Sequence, residues 1–398
     1  MRPLRIAIDA CCWSNRRGFG RYTRELVTHM VRRPRGHEIT LYVDAQTAEA
    51  HPMPEGCRVE VISTREQPTR AASFQGSRSV GDLWRMSRRA TASRADVFFF
   101  PAVYSYYPLL RRLPTVVVFH DAIAEQHPDL VLPDRRGRLL WKAKTWLARR
   151  QAACLLTVSE SARDQIVAAF RYPRDRVHVV AEAAGEEFRP LPGDERASVD
   201  AVRRAYRLPA DAPLIVYVGG LSPHKNLEGL LEAMAQLRNR GARAHLAIVG
   251  DPAADGFLSS HASLTARREA LGLREAVTFT GYVPGDHLVS LYNAASVAVL
   301  PSFSEGFGLP ALEAMACGAP VAASRRGALP EVVGDAGVFF DPANPADIAG
   351  ALERLLADEA LRLRLREAGL RRARLFSWDT AAGKTLDLLA EAARVPAA

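Results

Sequence analysis

Short apolar runs that alternate with longer amphipathic stretches are the feature that most restricts the fold of this chain. The runs end in Gly, Asp, Ser or Pro, and the stretches between them are long enough for helices. This order is typical of βα units around a parallel sheet that is buried on both faces. We therefore predict a doubly wound α/β architecture. The predicted strands are residues 4–9, 38–43, 58–62, 96–100, 115–120, 155–159 and 177–181, followed by 214–218, 245–249, 277–280, 297–300, 321–323 and 338–340. Predicted helices include residues 21–31, 160–170, 226–237, 309–317 and 347–357.

The alternation occurs twice, which indicates two domains. A length of 398 residues also exceeds the roughly 250 to 300 residues at which a single core stops growing. Between the halves, residues 188–194 (FRPLPGD) are rich in Pro, Gly and charge, as interdomain linkers are. We expect an N-terminal domain over residues 1–190, a second domain over 191–375, and a C-terminal helix, residues 376–398, that crosses back to the first domain.

Positive charge is concentrated in the first half. Residues 1–190 contain 31 Lys and Arg against 20 Asp and Glu, whereas the remainder contains 22 against 24. Such an excess indicates an anionic partner, either a phosphate-bearing acceptor, an acidic lipid surface or nucleic acid. Arg-rich codon usage is the alternative explanation, since only four of these cations are Lys. Nucleic acid is not expected as a partner, because the basic residues are not interleaved with a recognition module.

The cysteines and the apolar runs indicate the compartment. Five cysteines without C-x-x-C spacing are too few and too scattered for a disulfide framework. The first apolar run is short and flanked by charge, unlike a signal peptide, and no run approaches the roughly 20 residues of a spanning helix. We expect a cytoplasmic protein whose membrane contact, if it occurs, is peripheral and on the inner face. Residues 83–89 (LWRMSRR) suit docking on an anionic membrane, with a surface helix packed on the sheet as the simpler interpretation.

Two motifs follow strands in the first half, and ligands of doubly wound sheets bind beyond the carboxyl ends of strands. Residues 16–22 (RRGFGRY) place Gly18 and Gly20 before a helix, where main-chain amides can approach a phosphate. The missing G-x-G-x-x-G spacing argues against an NAD-dependent dehydrogenase. Residues 119–121 (FHD) place His120 at a strand end, where an imidazole can change charge near neutral pH.

Two further motifs follow strands in the second half. Residues 218–226 (VGGLSPHKN) place Lys225 beside a helix start, where its charge can meet a diphosphate. Residues 301–318 (PSFSEGFGLPALEAMACG) pass from a strand through a glycine-rich turn into a helix with Pro in its first turn. There Glu305 and Glu313 flank main-chain amides that can bind an anion. Carboxylates accept hydrogen bonds from hydroxyls, so the pattern suits a nucleotide sugar, which has a hydroxyl-bearing ring on each side of its diphosphate.

At these motifs the chain resembles the retaining glycosyltransferases of family 4, whose GT-B fold has two Rossmann-like domains facing across a cleft. The resemblance runs from GFG at residues 18–20, through VSES at 158–161, to FSW at 376–378, and the Glu-x7-Glu element is its most specific part. It implies a metal-independent hexosyltransferase that needs no cofactor. The expected donor is a nucleotide diphosphate sugar, with GDP-mannose favoured over UDP or dTDP sugars. The expected acceptor is a hydroxyl of a saccharide, a lipid-linked sugar or a small molecule.

The resemblance also implies a role for each motif residue. Glu313 is expected to bind the donor ribose, and Glu305 is expected to bind the hydroxyls of the transferred sugar. His120 is expected to contact the same sugar. Lys225 and the amides of residues 307–309 are expected to neutralise the diphosphate. Many members of the family have Arg where this chain has Gly220, so here the diphosphate would depend more on Lys225 and these amides. The implied catalytic residues are His120, Glu305 and Lys225, and the implied donor-binding residues are Gly18, Gly20, Gly220, Lys225, Glu305, Phe307, Gly308, Leu309 and Glu313. No metal ligand is expected, and the chain has no D-x-D element.

Several alternatives stay open from the sequence. A nucleotide-sugar epimerase or a phosphorylase would use the same architecture, and a non-catalytic protein would bind the nucleotide sugar without turnover. A glycosidase-like pair of carboxylates is a further alternative, because the chain has many acidic residues. The predicted acceptor loops, residues 64–79 and 104–114, do not indicate a ligand by their composition.

Overall fold

The computed structural model describes residues 2–15, 18–65, 79–131, 134–251 and 260–394. Residues 16 and 17 of the first glycine motif lie outside the described residues. So do residues 66–78 of the first predicted acceptor loop and residues 395–398 of the predicted C-terminal segment.

Two compact units make up the chain. Unit 1 comprises residues 1–182 together with 378–398, and unit 2 comprises residues 183–377. Each unit has its own hydrophobic core. The core of unit 1 includes Phe98, Phe100 and Tyr107, and that of unit 2 includes Ile248 and Leu352.

Unit 1 is built on a parallel sheet of seven strands in the order β3-β2-β1-β4-β5-β6-β7. Every residue of β4 and β5 is buried. Because successive side chains of a strand point to opposite faces, both faces of the sheet centre are covered. The strands are β1 (Arg5–Asp9), β2 (Glu38–Asp44), β3 (Arg58–Ile62), β4 (Val97–Phe100), β5 (Thr115–Val118), β6 (Ala152–Thr157) and β7 (Val177–Val179).

The first helix of unit 1 begins earlier than the sequence predicts. The prediction starts it at residue 21, with both glycines in a preceding turn, whereas Gly18 and Gly20 form its first turn. A Cβ on Gly20 would lie 2.0 Å from the main-chain oxygen of Asn15, so close packing requires glycine there. The helices are α1 (Gly18–Arg32), α2 (Ala45–Ala50), α3 (Val80–Thr91), α4 (Ile123–Gln126), α5 (Pro128–Val131), α6 (Arg135–Gln151) and α7 (Glu160–Phe170).

Unit 2 repeats the architecture with a parallel sheet of six strands in the order β10-β9-β8-β11-β12-β13. Its strands are β8 (Leu214–Val218), β9 (His245–Val249), β10 (Val277–Gly281), β11 (Val297–Leu300), β12 (Val321–Ser324) and β13 (Gly337–Phe340). Its helices are α8 (Arg196–Ala205), α9 (Leu227–Asn239), α10 (His261–Ala270), α11 (Gly285–Ala294), α12 (Leu309–Ala316), α13 (Leu329–Val333), α14 (Pro345–Ala357) and α15 (Glu359–Ala373).

The last helix, α16 (Trp378–Ala392), belongs to unit 1 and packs against α1. Its Trp378 side chain is buried. The Nδ1 atom of His29 in α1 lies 2.7 Å from a carboxylate oxygen of Asp379, and Arg33 contacts the other oxygen at 2.9 Å. An apolar anchor and an ionic contact therefore hold this helix on α1. Within the described ranges, no helix combines the length and the apolar character needed to cross a bilayer.

Every predicted strand is present, and the differences lie at strand ends. The largest concerns β6, which begins at Ala152, directly after α6 ends at Gln151, and not at residue 155. Strand β5 ends at Val118, so His120 lies in the loop that follows it and not at the end of the strand.

Candidate active site

Strands β8 and β11 are neighbours at the centre of the second sheet, although two strands separate them in the chain. Val297 and Ala298 of β11 pair with Ile215 and Val216 of β8. The strand order reverses at this point, and the loops that leave two such strands diverge to form a crevice, where open α/β sheets bind ligands. The motif with Lys225 follows β8, and the motif with Glu305 follows β11.

Lys225 and Glu305 form an ion pair at this edge of the sheet. Nζ of Lys225 donates to both carboxylate oxygens at 2.8 Å, and Oγ of Ser302 donates to Oε1 at 2.7 Å. The two side chains of the pair are 19% and 13% exposed. Burial raises the pKa of Glu305, but the charge and hydrogen bonds of Lys225 and the Ser302 hydroxyl outweigh burial and hold the pKa below its ordinary value. Glu305 is therefore an ionised acceptor at neutral pH.

Asn226 ties the two site loops together. Its backbone is in the left-handed region, with φ of 56°, which Asn tolerates better than most residues. Its side-chain Nδ2 donates to the main-chain oxygens of Pro301 at 3.1 Å and Pro342 at 2.6 Å. These bonds fix the turn that carries Lys225 against the loop that carries Glu305. The motif alone does not reveal this role, because both partners of Asn226 lie far along the chain.

The start of helix α12 presents main-chain amides beside the ion pair. Gly308 precedes the helix with φ of 95°, and a Cβ there would lie 2.6 Å from the Leu329 side chain, so the turn requires glycine. In the part of the chain that the structure describes, the amides of Phe307, Gly308 and Leu309 donate no hydrogen bond. Phe307 and Leu309 are only 5% and 7% exposed. Main-chain N–H groups at a helix start that donate no hydrogen bond form an anion-binding site. Their low exposure to water strengthens the electrostatic attraction between these groups and an anion.

Gly327 positions the Glu305 loop from the opposite side. Its φ is 64°, and a Cβ would lie 2.8 Å from the main-chain nitrogen and 2.9 Å from the main-chain oxygen of Glu305. The amide of Ala328 donates to that same oxygen at 3.2 Å. Any side chain at position 327 would displace the loop. The only sequence signal for this role is a glycine shortly before a helix.

Glu313 and Gly220 occupy different surroundings from the ion pair. Glu313 lies inside α12, is 1% exposed, and accepts a hydrogen bond of 3.4 Å from the Tyr292 hydroxyl. Gly220 lies in the turn after β8, where its carbonyl accepts from the Tyr217 hydroxyl at 2.7 Å. Of the two carboxylates in the Glu-x7-Glu element, Glu305 thus pairs with Lys225, and Glu313 accepts from a tyrosine hydroxyl.

His120 lies in unit 1, in the loop after β5, and is 9% exposed. Its Nε2 atom lies 3.2 Å from the main-chain oxygen of Pro101, and Nδ1 lies 3.5 Å from a carboxylate oxygen of Glu182. The Tyr22 ring meets the imidazole edge to face, with centroids 4.7 Å apart. These contacts hold the imidazole in one orientation. Glu182 is a candidate positioning residue that no motif indicates, because it follows a different strand.

The arrangement limits the chemistry that the chain can perform. None of the five cysteines forms a disulfide, and burial raises the pKa of Cys154 and of Cys317 to about 12, so neither of these two is a thiolate nucleophile at neutral pH. Across the described residues, no group of His, Cys, Asp and Glu has the arrangement of a metal site. The edge of the sheet at β8 and β11 contains the Lys225 ammonium, main-chain N–H groups that donate no hydrogen bond, and the ionised Glu305 carboxylate. Together these groups suit an anion that carries hydroxyls.

Comparison with known proteins agrees with this chemistry. The model of Glycosyltransferase Family 4 matches residues 16–183, and the model of Glycosyl transferases group 1 matches residues 198–372. The O-antigen chain mannosyltransferase B of Escherichia coli is 31% identical over 379 residues, an alignment that covers 93% of this chain and 95% of that protein. The chain belongs to the family 4 glycosyltransferases.

Other similar proteins place this glycosyltransferase among known folds. A D-inositol 3-phosphate glycosyltransferase of Streptomyces bingchenggensis is 37% identical over 247 residues, which cover 60% of this chain and 53% of that protein. The sucrose-phosphate synthase of Thermosynechococcus elongatus superposes with a TM-score of 0.74 at 21% identity over 98% of both chains. HepE of Anabaena, solved with UDP and glucose, gives 0.74 at 18% identity over 97% of this chain and 99% of that chain. These structures confirm the predicted GT-B fold of two Rossmann-like domains.

Proposed function

We propose that this glycosyltransferase transfers a hexose from a nucleotide diphosphate sugar to an acceptor hydroxyl, without a metal and with retention of the anomeric configuration. The observation that carries the proposal is the position of the Lys225–Glu305 pair beside the main-chain N–H groups at the start of α12, which donate no hydrogen bond to a described group. The cation and the amides suit the diphosphate, and the carboxylate suits sugar hydroxyls.

The hydrogen-bond capacity of Lys225 and Glu305 supports a role for both in ligand binding. An ammonium has three N–H groups, and Lys225 uses two of them on Glu305. A carboxylate has about four acceptor positions, and Lys225 and Ser302 occupy three of those on Glu305. One donor is left for a phosphate oxygen and one acceptor position for a sugar hydroxyl. The pair thus orients both side chains without exhausting either.

In the proposed reaction, the acceptor oxygen bonds to the anomeric carbon as the bond from that carbon to the β-phosphate oxygen breaks. The proton of the acceptor hydroxyl passes to the departing phosphate oxygen on the same face, so the configuration is retained. Negative charge grows on the diphosphate during this step. Lys225 and the amides of Phe307, Gly308 and Leu309 would stabilise it, which is electrostatic catalysis with positioning and needs no covalent intermediate.

The remaining roles are proposed from the family resemblance at each position. Glu313 is assigned to the donor ribose and His120 to the transferred sugar. Gly18, Gly20 and Gly220 are assigned to the diphosphate. The acceptor-binding domain, predicted over residues 1–190, is proposed to correspond to unit 1, and the donor-binding domain, predicted over residues 191–375, to unit 2.

The proposed donor is GDP-mannose, because the E. coli relative that aligns over almost its full length is named as a mannosyltransferase. UDP and dTDP sugars are the alternatives, since HepE was solved with UDP and glucose. A saccharide or a lipid-linked sugar is the proposed acceptor.

A panel of GDP-mannose, UDP-glucose and dTDP-glucose tests the proposal. Only GDP-mannose should raise the unfolding midpoint, with the logarithm of its concentration, and only GDP-mannose should yield an α-linked product with release of GDP. Lys225→Met should abolish the stabilisation, whereas Lys384→Met, which changes an exposed lysine of α16, should not. Stabilisation without transfer to any acceptor would indicate a binding protein. An isomerised donor would indicate an epimerase, and release of a sugar 1-phosphate a phosphorylase.

A further inference from the structure

Helix α6 of unit 1 presents an apolar stripe to solvent. Leu139 is 69% exposed, and Leu140 and Trp146 are each 54% exposed. Leu139, Ala143 and Trp146 follow the helical repeat, so they lie on one line along the outer face. The opposite face holds the helix on the unit through Ala148, which is buried. Exposed large apolar side chains aligned along one helix mark an interaction surface.

The same helix is strongly cationic. Its sequence, RRGRLLWKAKTWLARRQ, contains seven Arg and Lys and no Asp or Glu. Four of these cations, Arg135, Arg136, Lys142 and Arg150, are exposed. Arg135 and Lys142 lie on one side of the apolar stripe and Arg136 on the other, while Arg150 lies over the Trp146 ring at 5.8 Å. None of these four forms an ion pair with a carboxylate in the described part of the chain.

Helix α3, which contains the docking segment predicted at residues 83–89, differs from α6 in this respect. Its Trp84 is also 54% exposed and also lies under an arginine, Arg88. Two of the three arginines of α3, however, form ion pairs. Arg85 pairs with the Asp82 carboxylate, and Arg89 of the same helix pairs with the Glu60 carboxylate at 2.6 Å. Leu83 and Met86 pack on the core of unit 1, as the alternative interpretation of a packed surface helix expects.

We propose that α6 docks this protein on the surface of an anionic lipid bilayer. A helix of this length is about 25 Å long. Laid in the membrane plane, it would place Leu139, Ala143 and Trp146 among the acyl chains, while the flanking cations reach lipid phosphates. The charge selects this occupant, because exposed cations on both flanks of an apolar stripe match an anionic interface. A stripe one residue wide is too narrow for a stable protein interface, which buries about 800 Å² on each partner.

The proposal does not depend on the proposed sugar transfer, since membrane binding can be measured without donor or acceptor. The full chain is mixed with vesicles of phosphatidylcholine alone or with 30% phosphatidylglycerol, a composition of about one anionic lipid in three. Flotation then separates bound from free protein. Binding is expected only to the anionic vesicles, and each exposed cation should strengthen it about fivefold at low salt.

Matched tryptophan variants locate the surface. Trp146→Ser should lower the partition coefficient about tenfold or more, whereas Trp84→Ser, which removes an equally exposed tryptophan, should leave it within twofold. Changing Arg135, Arg136 and Lys142 together to Gln should lower binding about a hundredfold and remove most of its salt dependence. Circular dichroism and the unfolding midpoint should be unchanged in each variant, because all the altered side chains are exposed.

Three results would overturn the proposal. The first is equal binding to neutral and anionic vesicles, or binding to neither. The second is an equal loss of binding in the two tryptophan variants, which would place the contact outside α6. The third is self-association of the wild-type chain that Trp146→Ser abolishes without any vesicle binding, which would make α6 a contact between copies of the chain.

Discussion

The carboxyl edges of the two sheets differ in charge although their strands follow the same order about the central pair. In unit 2 the edge brings a lysine and a glutamate within hydrogen-bond distance, beside amides that donate to no described group. In unit 1 the edge holds His120 among the Tyr22 ring, the Pro101 carbonyl and the Glu182 carboxylate, so the charge there is a carboxylate beside an imidazole. The same topology therefore creates two sites, and the residues after each strand decide which one suits a highly charged ligand.

The largest expected effect is on turnover at the charged edge. Glu305→Gln keeps the size of the side chain but removes its charge, so the sugar hydroxyls and Lys225 lose their anionic partner. We expect kcat/KM to fall about 10²- to 10³-fold with unchanged secondary structure. Glu353→Gln, in an exposed ion pair with Arg240, is the control and should retain full activity. Near-native turnover of Glu305→Gln would remove this residue from the site.

The next effect is on the stability of unit 2. Lys225→Met leaves the Glu305 carboxylate largely buried without its cation, which should lower the free energy of unfolding by about 3 kcal/mol. The double variant with Glu305→Gln should recover most of that loss, because no unpaired charge remains. Arg240→Met should change stability by less than about 0.5 kcal/mol, since its pair is exposed. Urea unfolding measures all three, and equal losses for Lys225→Met and Arg240→Met would contradict the account.

A pH-dependent effect is expected in unit 1. Burial raises the pKa of Glu125 from 4.5 to about 7, although the Trp141 indole N–H opposes the shift. The folded state then binds the proton more tightly than the unfolded state, so stability falls as pH rises from about 4.5 to 7. Glu125→Gln removes this cost and should stabilise the protein by about 3 kcal/mol at pH 8. The gain should vanish at pH 4. A gain that is independent of pH would show that Glu125 does not titrate in this range.

The smallest expected effect concerns the start of α1. Outside its own helix backbone and its chain neighbours, no described atom lies within 4 Å of a Cβ placed on Gly18, so Gly18→Ala should change stability by less than about 0.5 kcal/mol. If the proposed diphosphate contact exists, the same change should raise the donor KM severalfold. Gly193→Ala, which also meets open space, is the control. Unchanged donor KM in Gly18→Ala would remove this glycine from the donor site.

Local patterns predict the elements of this fold well, because apolar runs in a parallel sheet are short and sharply bounded. The run at residues 214–218 lies between Pro213 and a glycine pair, and the structure has a strand with the same limits. The prediction is less accurate where a boundary depends on packing. Helix α1 begins at Gly18 although glycine is a poor helix former, and β6 follows α6 without a loop.

The site is predicted in part, because its residues follow adjacent strands. The motifs indicate Lys225 and Glu305 separately, but their ion pair depends on the pairing of β8 with β11. The bonds of Asn226 to Pro301 and Pro342, and the approach of Gly327 to Glu305, join segments far apart in the chain. Such contacts depend on tertiary structure and leave no periodic signal in the sequence.

A crystal structure with GDP-mannose, or with GDP alone, tests the central claim most directly. The account predicts the β-phosphate within about 3 Å of the amides of Phe307, Gly308 and Leu309, with Nζ of Lys225 in contact with a phosphate oxygen. A diphosphate bound elsewhere, with no hydrogen bond from those amides, would contradict the account.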